Sequence, residues 1–338
     1  MHLNRNIIYA QQKYLKDSYQ HAYIEPLVNL ENISFSASPN SASSLSLLNP
    51  SSNSLIVGIG SLPSEIASSS ILRGLIHIVV DKYLVQSAFE IQTFFSEALI
   101  EQIVSRLYPG QYLPRAIILN NPLMVRDFEG AFHSRLRDRY NNMPFFHHAI
   151  HPVTSFALRR ARQINLQSSY FSQGPANHFV LAEGLYQAQL SNTGLSAAVA
   201  DRIKVLDYRD PLPVDLLHLS GMAALLNIRP DFCQQIQRGS LFPTSFNHRW
   251  KPSTKLQASI ALGVPLLSMP EASLIYYSNK VGWPVFFFSS LAELEELIYW
   301  CTDDTSMIAE CKARRLESLV TLQSLYVSEM LHVMNKLS

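Results

Sequence analysis

Three cations and two hydroxyl side chains crowd the stretch His248–Lys255, which reads HRWKPSTK and contains no acid. A helix predicted to begin near Ser253 would present its free backbone N–H groups and the positive end of its dipole to this stretch. Lys251 and Lys255 could add charge-assisted hydrogen bonds. The combination suits an anion with several oxygens, and a diphosphate is a ligand of this kind.

The alternative is a solvated helix start with ordinary surface lysines, since capping alone explains Ser253 and Thr254. The parts that follow favour the anion site. Gly263 is placed to end the helix, and VPLLS then reads as a short buried strand. Glu271 follows at the carboxyl end of that strand, which is the edge where open α/β sheets bind ligands.

A second turn of interest reads GIGSLPSE, from Gly58 to Glu65. An apolar strand precedes it, and its serines can cap a following helix. It lacks the third glycine of a dinucleotide fingerprint, so it is weak support for NAD binding. The turn can equally be a plain connection from a strand to a helix.

Three histidines occur together in FFHHAIHP, at 147, 148 and 151. As a metal site the group is incomplete, because the spacing supplies no further ligands, and we predict no metal there. An imidazole can serve as a general base on a hydroxyl or can contact a phosphate. We therefore predict catalytic roles for His148 and His151, and the alternative is that they are packed or solvated structural histidines.

Alternating strand and helix patterns place these motifs in a doubly wound α/β fold. We predict an N-terminal domain over residues 1–172, with a serine-rich loop at 34–54, and a second domain over 173–320. The segment 321–338 is predicted to be helical, within a tail that reads as one or two helices from about residue 305.

The composition sets limits on the class of protein. The chain has 338 residues, 47% hydrophobic and 16% charged, which is ample for two buried cores. Its 27 Lys and Arg against 26 Asp and Glu give no general basic field, so no nucleic-acid partner is predicted. No apolar run is long enough for a membrane span, and three widely spaced cysteines suggest no disulfide framework. We predict a cytoplasmic protein.

Residues from about 200 to 300 resemble the C-terminal half of the nucleotide-sugar-dependent glycosyltransferases of the GT-B fold. In many of these a lysine-bearing loop enters a helix that ends at Gly-x-Pro, here Gly263–Pro265, before a short apolar strand. The segment DLLHLSGMAALLNIRPD looks like the strand and loop that precede the donor pocket. The segment VGWPVFFFSSLAELEELI looks like the strand and helix that follow it.

The resemblance implies two Rossmann-like α/β domains facing across a cleft, the first for the acceptor and the second for the donor. It implies a UDP- or GDP-sugar as co-substrate, a hydroxyl acceptor, and no metal or other cofactor. The absence of an Asp-x-Asp pair agrees with that last point. The implied donor-binding residues, with ribose near the glutamine, are Arg249, Lys251, Ser253, Thr254, Lys255, Gln257 and Glu271, joined by Gly60 and Ser61.

Two other functions are open. Retaining members carry two glutamates eight positions apart, and this chain has Arg249 and Gln257 instead. A catalytically inactive module of the same fold, binding a nucleotide sugar or a protein, is therefore the alternative to a transferase, and retention or inversion of configuration is undecided. A nicotinamide-dependent oxidoreductase is disfavoured by the incomplete glycine pattern.

Overall fold

The computed structural model describes most of the predicted elements, and the fold is given for those residues alone. They are 5–9, 22–23, 25–27, 33–37, 56–60, 62, 64–79, 97–154, 157, 178–183, 194–206, 221–228, 250, 254–304 and 306–337. The chain divides into two compact units. Unit 1 comprises Met1–Thr154, Thr244–Pro252 and Gln323–Ser338, and unit 2 comprises Ser155–Pro243 and Ser253–Leu322.

The division differs from the predicted segments 1–172, 173–320 and 321–338, whose acceptor and donor roles stay predictions. One cause is Trp250, which is fully buried in the hydrophobic core of unit 1. Its indole Nε1–H donates to Asp127 at 2.6 Å, and its ring centroid lies 5.5 Å from that of Phe128. This long-range packing is invisible to local sequence patterns.

Unit 1 is built on parallel strands. The main sheet has the order β3-β4-β5-β6, and β1 and β2 form a separate parallel pair in which β1 lies beside β3. The strands are β1 Arg5–Tyr9, β2 Ile33–Ala37, β3 Ile56–Ile59, β4 Leu75–Ile78, β5 Ala116–Leu119 and β6 Phe145–His148. Strands β4 and β5 are buried at every position, as expected for a parallel sheet covered on both faces.

The helices of unit 1 connect these strands. They are α1 Ser64–Ala67, α2 Glu97–Leu107 and α3 Pro122–Ala131, with a 3₁₀ turn at Ser70–Gly74 and a π-helical turn at Phe132–Leu136. Asn121 caps α3 by accepting hydrogen bonds from the backbone N–H groups of Leu123 and Met124. Pro122 occupies the first helical turn, where a missing N–H costs nothing.

Strand β2 corrects part of the predicted serine-rich loop. Residues 34–37 of the predicted loop 34–54 belong to this strand, which pairs in parallel with β1. Its sequence ISFSA alternates apolar and small polar residues, a strand periodicity that the serine content obscured. Residues 38–54 lie outside the described part of the chain.

Unit 2 contains one five-stranded parallel sheet of order β11-β10-β9-β7-β8. The strands are β7 Phe179–Glu183, β8 Ile203–Leu206, β9 Met222–Asn227, β10 Leu266–Ser268 and β11 Val285–Phe287. The strand order changes direction between β7 and β9. In doubly wound sheets, ligands bind at the carboxyl ends of strands beside such a switch point.

The helices of unit 2 are α4 Ala197–Ala200, α5 Thr254–Leu262, α6 Ala272–Val281 and α7 Leu291–Asp303, and α8 Ser306–Leu337 begins there. Helix α8 is a single helix of 32 residues whose last part belongs to unit 1. Among the described residues, no helix has the length and apolarity that crossing a membrane requires.

Gly263 ends α5, as predicted. Its φ of +68° lies in the left-handed region, which favours glycine. A Cβ atom at this position would stand 3.1 Å from the backbone Cα of Lys312 on α8. The turn therefore needs glycine both for its conformation and for the close approach of α8.

His77 ties the end of β3 to β4 from inside the core of unit 1. Its Nε2 donates to the carbonyl oxygen of Gly60 at 2.6 Å. Its Nδ1 therefore accepts from the Tyr108 hydroxyl, whose oxygen lies 2.6 Å from Nδ1. The backbone N–H of Gly60 also donates to Ile78 at 2.9 Å. Burial lowers the pKa of His77 from 6.5 to about 4, partly offset by the bond to Gly60.

Acid is expected to destabilise the protein through His77. The unfolded chain takes up the proton near pH 6.5 and the folded chain only near pH 4. The contribution to stability is therefore complete above 6.5 and falls between those values, by about 2 kcal/mol at pH 5. Urea unfolding at pH 8 and pH 5 gives the drop in the free energy of unfolding for wild type and for His77→Gln. The drop in wild type should exceed that in the variant by about 2 kcal/mol. Equal losses in both proteins would contradict it.

Candidate functional site

Helix α5 brings three predicted donor-binding residues to the carboxyl edge of the unit 2 sheet. In a parallel crossover the helix runs against the strands, so the first residues of α5 lie at the end of β9. Lys255 and Gln257 are each only 6% exposed, and Thr254 begins the helix. This burial is inconsistent with an ordinary surface lysine at Lys255. Four further predicted site residues lie outside the described part of the chain, namely Ser61, Arg249, Lys251 and Ser253.

A buried polar cluster stands at the same edge. Asn227 ends β9, and its register partner Ser268 ends β10. The Asn227 amide donates to Ser268 Oγ at 2.8 Å and to Glu271 Oε1 at 3.2 Å. Ser268 in turn donates to the carbonyl of Met269 at 2.9 Å. All three polar side chains are at most 3% exposed, so the predicted residue Glu271 belongs to a water-shielded network beside the switch point.

The carboxyl edge of the unit 1 sheet carries the other predicted residues. Gly60 follows β3 with a φ of +76°, and His77 and Ile78 fix both of its backbone polar groups. His148 is the last residue of β6, and His151 lies three positions beyond it. Because parallel strands end at one edge, the turn after β3 and the end of β6 share an edge of one sheet.

His148 faces a carboxylate from α8. Its Nε2 lies 3.9 Å from Glu329 Oε1, and both side chains are partly exposed, at 21% and 15%. The other oxygen of Glu329 accepts a hydrogen bond of 2.7 Å from the backbone N–H of Ile150, which fixes the carboxylate. This arrangement can stabilise a protonated imidazole, as a general base requires.

His147 is a neutral neighbour of His148. The two rings stack with centroids 5.0 Å apart, and the centroid of the His332 ring lies 5.2 Å from that of His147. Burial lowers the pKa of His147 to about 4, reinforced by His148, His332 and Lys336. Charging His147 is therefore unfavourable at neutral pH, which leaves His148 as the more suitable base of the adjacent pair.

His151 has different surroundings. It is 2% exposed, its Nδ1 hydrogen-bonds with the hydroxyl of Tyr23, and the two rings meet edge to face. Tyr326 of α8 donates to the backbone carbonyl of Tyr23 at 2.7 Å. The packing gives His151 a structural task, and its predicted catalytic role stays a prediction.

The histidines at this edge do not belong to a metal-binding group within the described part of the chain. In the parts of the chain given above as described, no group of three or more His, Cys, Asp or Glu side chains could hold a metal ion. The His147 ring stacks on His148 and is tilted against His332, and the three side chains do not form a metal-binding group.

Comparison with known proteins rests on structure. No family model matches the sequence, and no curated protein matches it. An α,α-trehalose-phosphate synthase (UDP-forming) from Burkholderia vietnamiensis aligns over 99% of each chain with a TM-score of 0.51, at 7% identity. The chain has a GT-B glycosyltransferase fold. The predicted architecture of two Rossmann-like α/β domains is thereby confirmed.

Other proteins are similar at lower TM-scores. Anabaena HepE, solved with UDP and glucose, is 12% identical over 98% of this chain and 100% of its own, with a TM-score of 0.44. A glycosyltransferase from Rickettsia africae is 9% identical over 98% of each chain, with a TM-score of 0.42. At 7% identity the similarity to the trehalose-phosphate synthase shows the fold alone, and the activity has to be argued from the site.

Sequence patterns did not indicate three residues whose polar contacts hold the predicted site residues in place. Asn227 lies within an apolar strand pattern, Glu329 within a long helix, and His77 within a buried strand. Only the end-of-strand rule could have indicated Asn227, since it follows the run MAALL directly. The partners of Glu329 and His77 are fixed by the tertiary fold and leave no local signal.

Proposed function

We propose that this chain is a glycosyltransferase that moves a sugar from a nucleoside diphosphate donor, a UDP- or GDP-sugar, to a hydroxyl acceptor. The observation that carries the proposal is the buried Lys255 at the start of α5, at the ligand-binding edge of the sheet in unit 2. The fold is shared with an enzyme whose name specifies UDP as a product, and we propose the same class of leaving group here.

The leaving diphosphate would bind at the α5 start. Lys255 supplies charge, and Thr254 and the free N–H groups of the first turn supply donors. Arg249, Lys251 and Ser253 would complete the phosphate cradle, with ribose near Gln257. These groups favour the charge that develops on the diphosphate as the bond from the sugar carbon to the phosphate oxygen breaks.

His148 would act on the acceptor. As the acceptor oxygen bonds to the sugar carbon, its proton passes to the imidazole, and Glu329 stabilises the resulting cation at 3.9 Å. His151 is the second histidine proposed for this role. Gly60 and Ser61 would line the ligand at the turn after β3, where His77 holds the backbone in place.

Turnover is expected to be independent of divalent metal. The motivation is the cationic start of α5, which can neutralise the diphosphate, together with a sequence that lacks Asp-x-Asp. Activity measured in excess EDTA should equal the untreated rate. Loss of activity in EDTA with recovery on adding Mn²⁺ or Mg²⁺ would contradict this account of how the leaving group is stabilised.

A catalytically inactive nucleotide-sugar or protein-binding module is the second candidate. Arg249 and Gln257 at the positions of the two glutamates favour it. An inactive nucleotide-sugar-binding module would bind the same donor as the transferase but would not turn it over. A protein-binding module would not bind the donor.

A thermal-shift panel tests the ligand class. Nucleoside diphosphates, their sugar conjugates and NAD would be compared, because a ligand at a hundred times its Kd stabilises a protein by about 2.7 kcal/mol. UDP or GDP and the matching sugar conjugate should raise the Tm by a few degrees, and NAD should not. No shift with any diphosphate, or a shift with NAD alone, would contradict the proposal.

A further inference from the structure

Glu271 occupies the N-cap position of α6 without capping the helix. An acidic residue there normally accepts hydrogen bonds from the free N–H groups of the first turn, which is worth about 1 kcal/mol. The backbone of Glu271 has the required extended conformation, yet its side chain makes no cap hydrogen bond. The carboxylate is directed instead to the amide of Asn227, 44 positions earlier in the chain.

The amide of Asn227 is itself held in place. The register of β9 with β10 sets Asn227 beside Ser268, whose Oγ accepts a bond of 2.8 Å from the same nitrogen. The Ser268 hydroxyl donates its own hydrogen bond to the carbonyl oxygen of Met269. The amide is thus oriented on one side by a strand-end hydroxyl and presents a donor to Glu271 on the other.

The chemistry of a carboxylate limits its ligand. An ionised acid repels phosphate and accepts hydrogen bonds, so Glu271 complements a hydroxyl rather than the diphosphate. A carboxylate can accept several hydrogen bonds, and Asn227 supplies one of those that Glu271 accepts. A nucleotide sugar offers hydroxyls from two sources, the ribose and the transferred sugar.

We propose that Asn227 is a positioning residue, which orients the Glu271 carboxylate to accept hydrogen bonds from hydroxyl groups of the nucleotide sugar. The inference rests on the proposed function and deepens it. It assigns the uncharged part of the donor to the carboxyl ends of β9 and β10, and leaves the diphosphate to the start of α5.

Asn227→Asp tests the positioning through pH. The substitution sets a second carboxylate about 3 Å from Glu271, so one proton is shared between them and the pKa of the pair is raised. With that proton present, an O–H can replace the amide donor. Without it, the two carboxylates repel. Calorimetric affinity for the nucleotide sugar selected by the panel should be near wild type at pH 5.5 and weaker by at least about tenfold at pH 8.5.

Two companion variants separate positioning from packing. Asn227→Ala should bind weakly at both pH values, since no donor can be restored. Ser268→Ala removes the hydroxyl that helps to orient the Asn227 amide but keeps that amide as a donor to Glu271, so its affinity should fall less than that of Asn227→Ala and should not depend on pH. Melting temperatures verify that each variant is folded.

The ligands distinguish the two hydroxyl sources. If Asn227→Ala weakens the nucleoside diphosphate alone as much as its sugar conjugate, the hydroxyl belongs to ribose. If only the conjugate is weakened, it belongs to the transferred sugar, and either result supports the proposal. Wild-type affinity in Asn227→Asp at pH 8.5, or a loss that does not depend on pH, would overturn it. No binding by wild type would contradict the proposed function itself.

Discussion

Replacing Lys255 by methionine is expected to weaken UDP or GDP binding by about 1.5–3 kcal/mol, the scale of a charge-assisted hydrogen bond. This corresponds to a roughly 10- to 150-fold rise in Kd. Methionine keeps most of the buried side-chain volume at a position only 6% exposed and removes the charge. The expected loss therefore reports the phosphate contact rather than a cavity. Titration calorimetry measures it directly.

Lys312→Met is the matched control for that experiment. Lys312 is a partly buried lysine of α8, and its backbone lies against Gly263 at the opposite end of α5. Burial and the nearby Arg315 lower the pKa of Lys312, and its replacement also removes a lysine that is partly shielded from water. Its removal should leave nucleotide affinity unchanged. Equal affinities in Lys255→Met and wild type would exclude Lys255 from the phosphate site.

Replacing His148 by glutamine is expected to lower turnover by roughly 10²–10⁴-fold, the usual worth of a general base, with donor affinity retained. Glutamine can still hydrogen-bond, but it cannot take up the acceptor proton. Initial rates at saturating donor and a calorimetric Kd for the same variant separate the two effects. A Tm near that of wild type confirms that the fold is intact.

The same measurements on His151→Gln give the contrast. Because His151 is buried against Tyr23, its loss should appear mainly as a lower Tm. Glu329→Gln keeps an acceptor for the Ile150 N–H but removes the charge beside His148, and should reduce turnover less than His148→Gln. Wild-type turnover in both histidine variants would remove histidine from the mechanism.

Much of the fold was predictable because its signals are local. The runs LIHI and AIIL are buried at every position, as their apolar continuity indicates. The turn after α5 needs a left-handed residue, and Gly263 supplies it. The helix from Leu291 begins at Ser290, whose side chain accepts from the backbone N–H of Glu293, a cap that sequence rules anticipate.

The rest depends on residues far apart in the chain. His148 and Glu329 are separated by 181 positions, and Asn227 and Glu271 by 44. Local periodicity shows which residues are buried in a strand or a helix, but the partner of a buried polar group is chosen by the packing of distant elements. For the same reason, the segment HRWKPSTK alone could not predict that Trp250 is buried in the hydrophobic core of unit 1.

Release of nucleoside diphosphate from a nucleotide sugar tests the central claim most directly. Wild-type protein, incubated in EDTA with the UDP- or GDP-sugar that the thermal-shift panel selects, should liberate UDP or GDP slowly with water as the acceptor. His148→Gln should bind the same donor and release far less. Binding of the nucleotide sugar by wild type without any release of diphosphate, in water or with added hydroxyl acceptors, would contradict a glycosyltransferase and identify the chain as a catalytically inactive binding module.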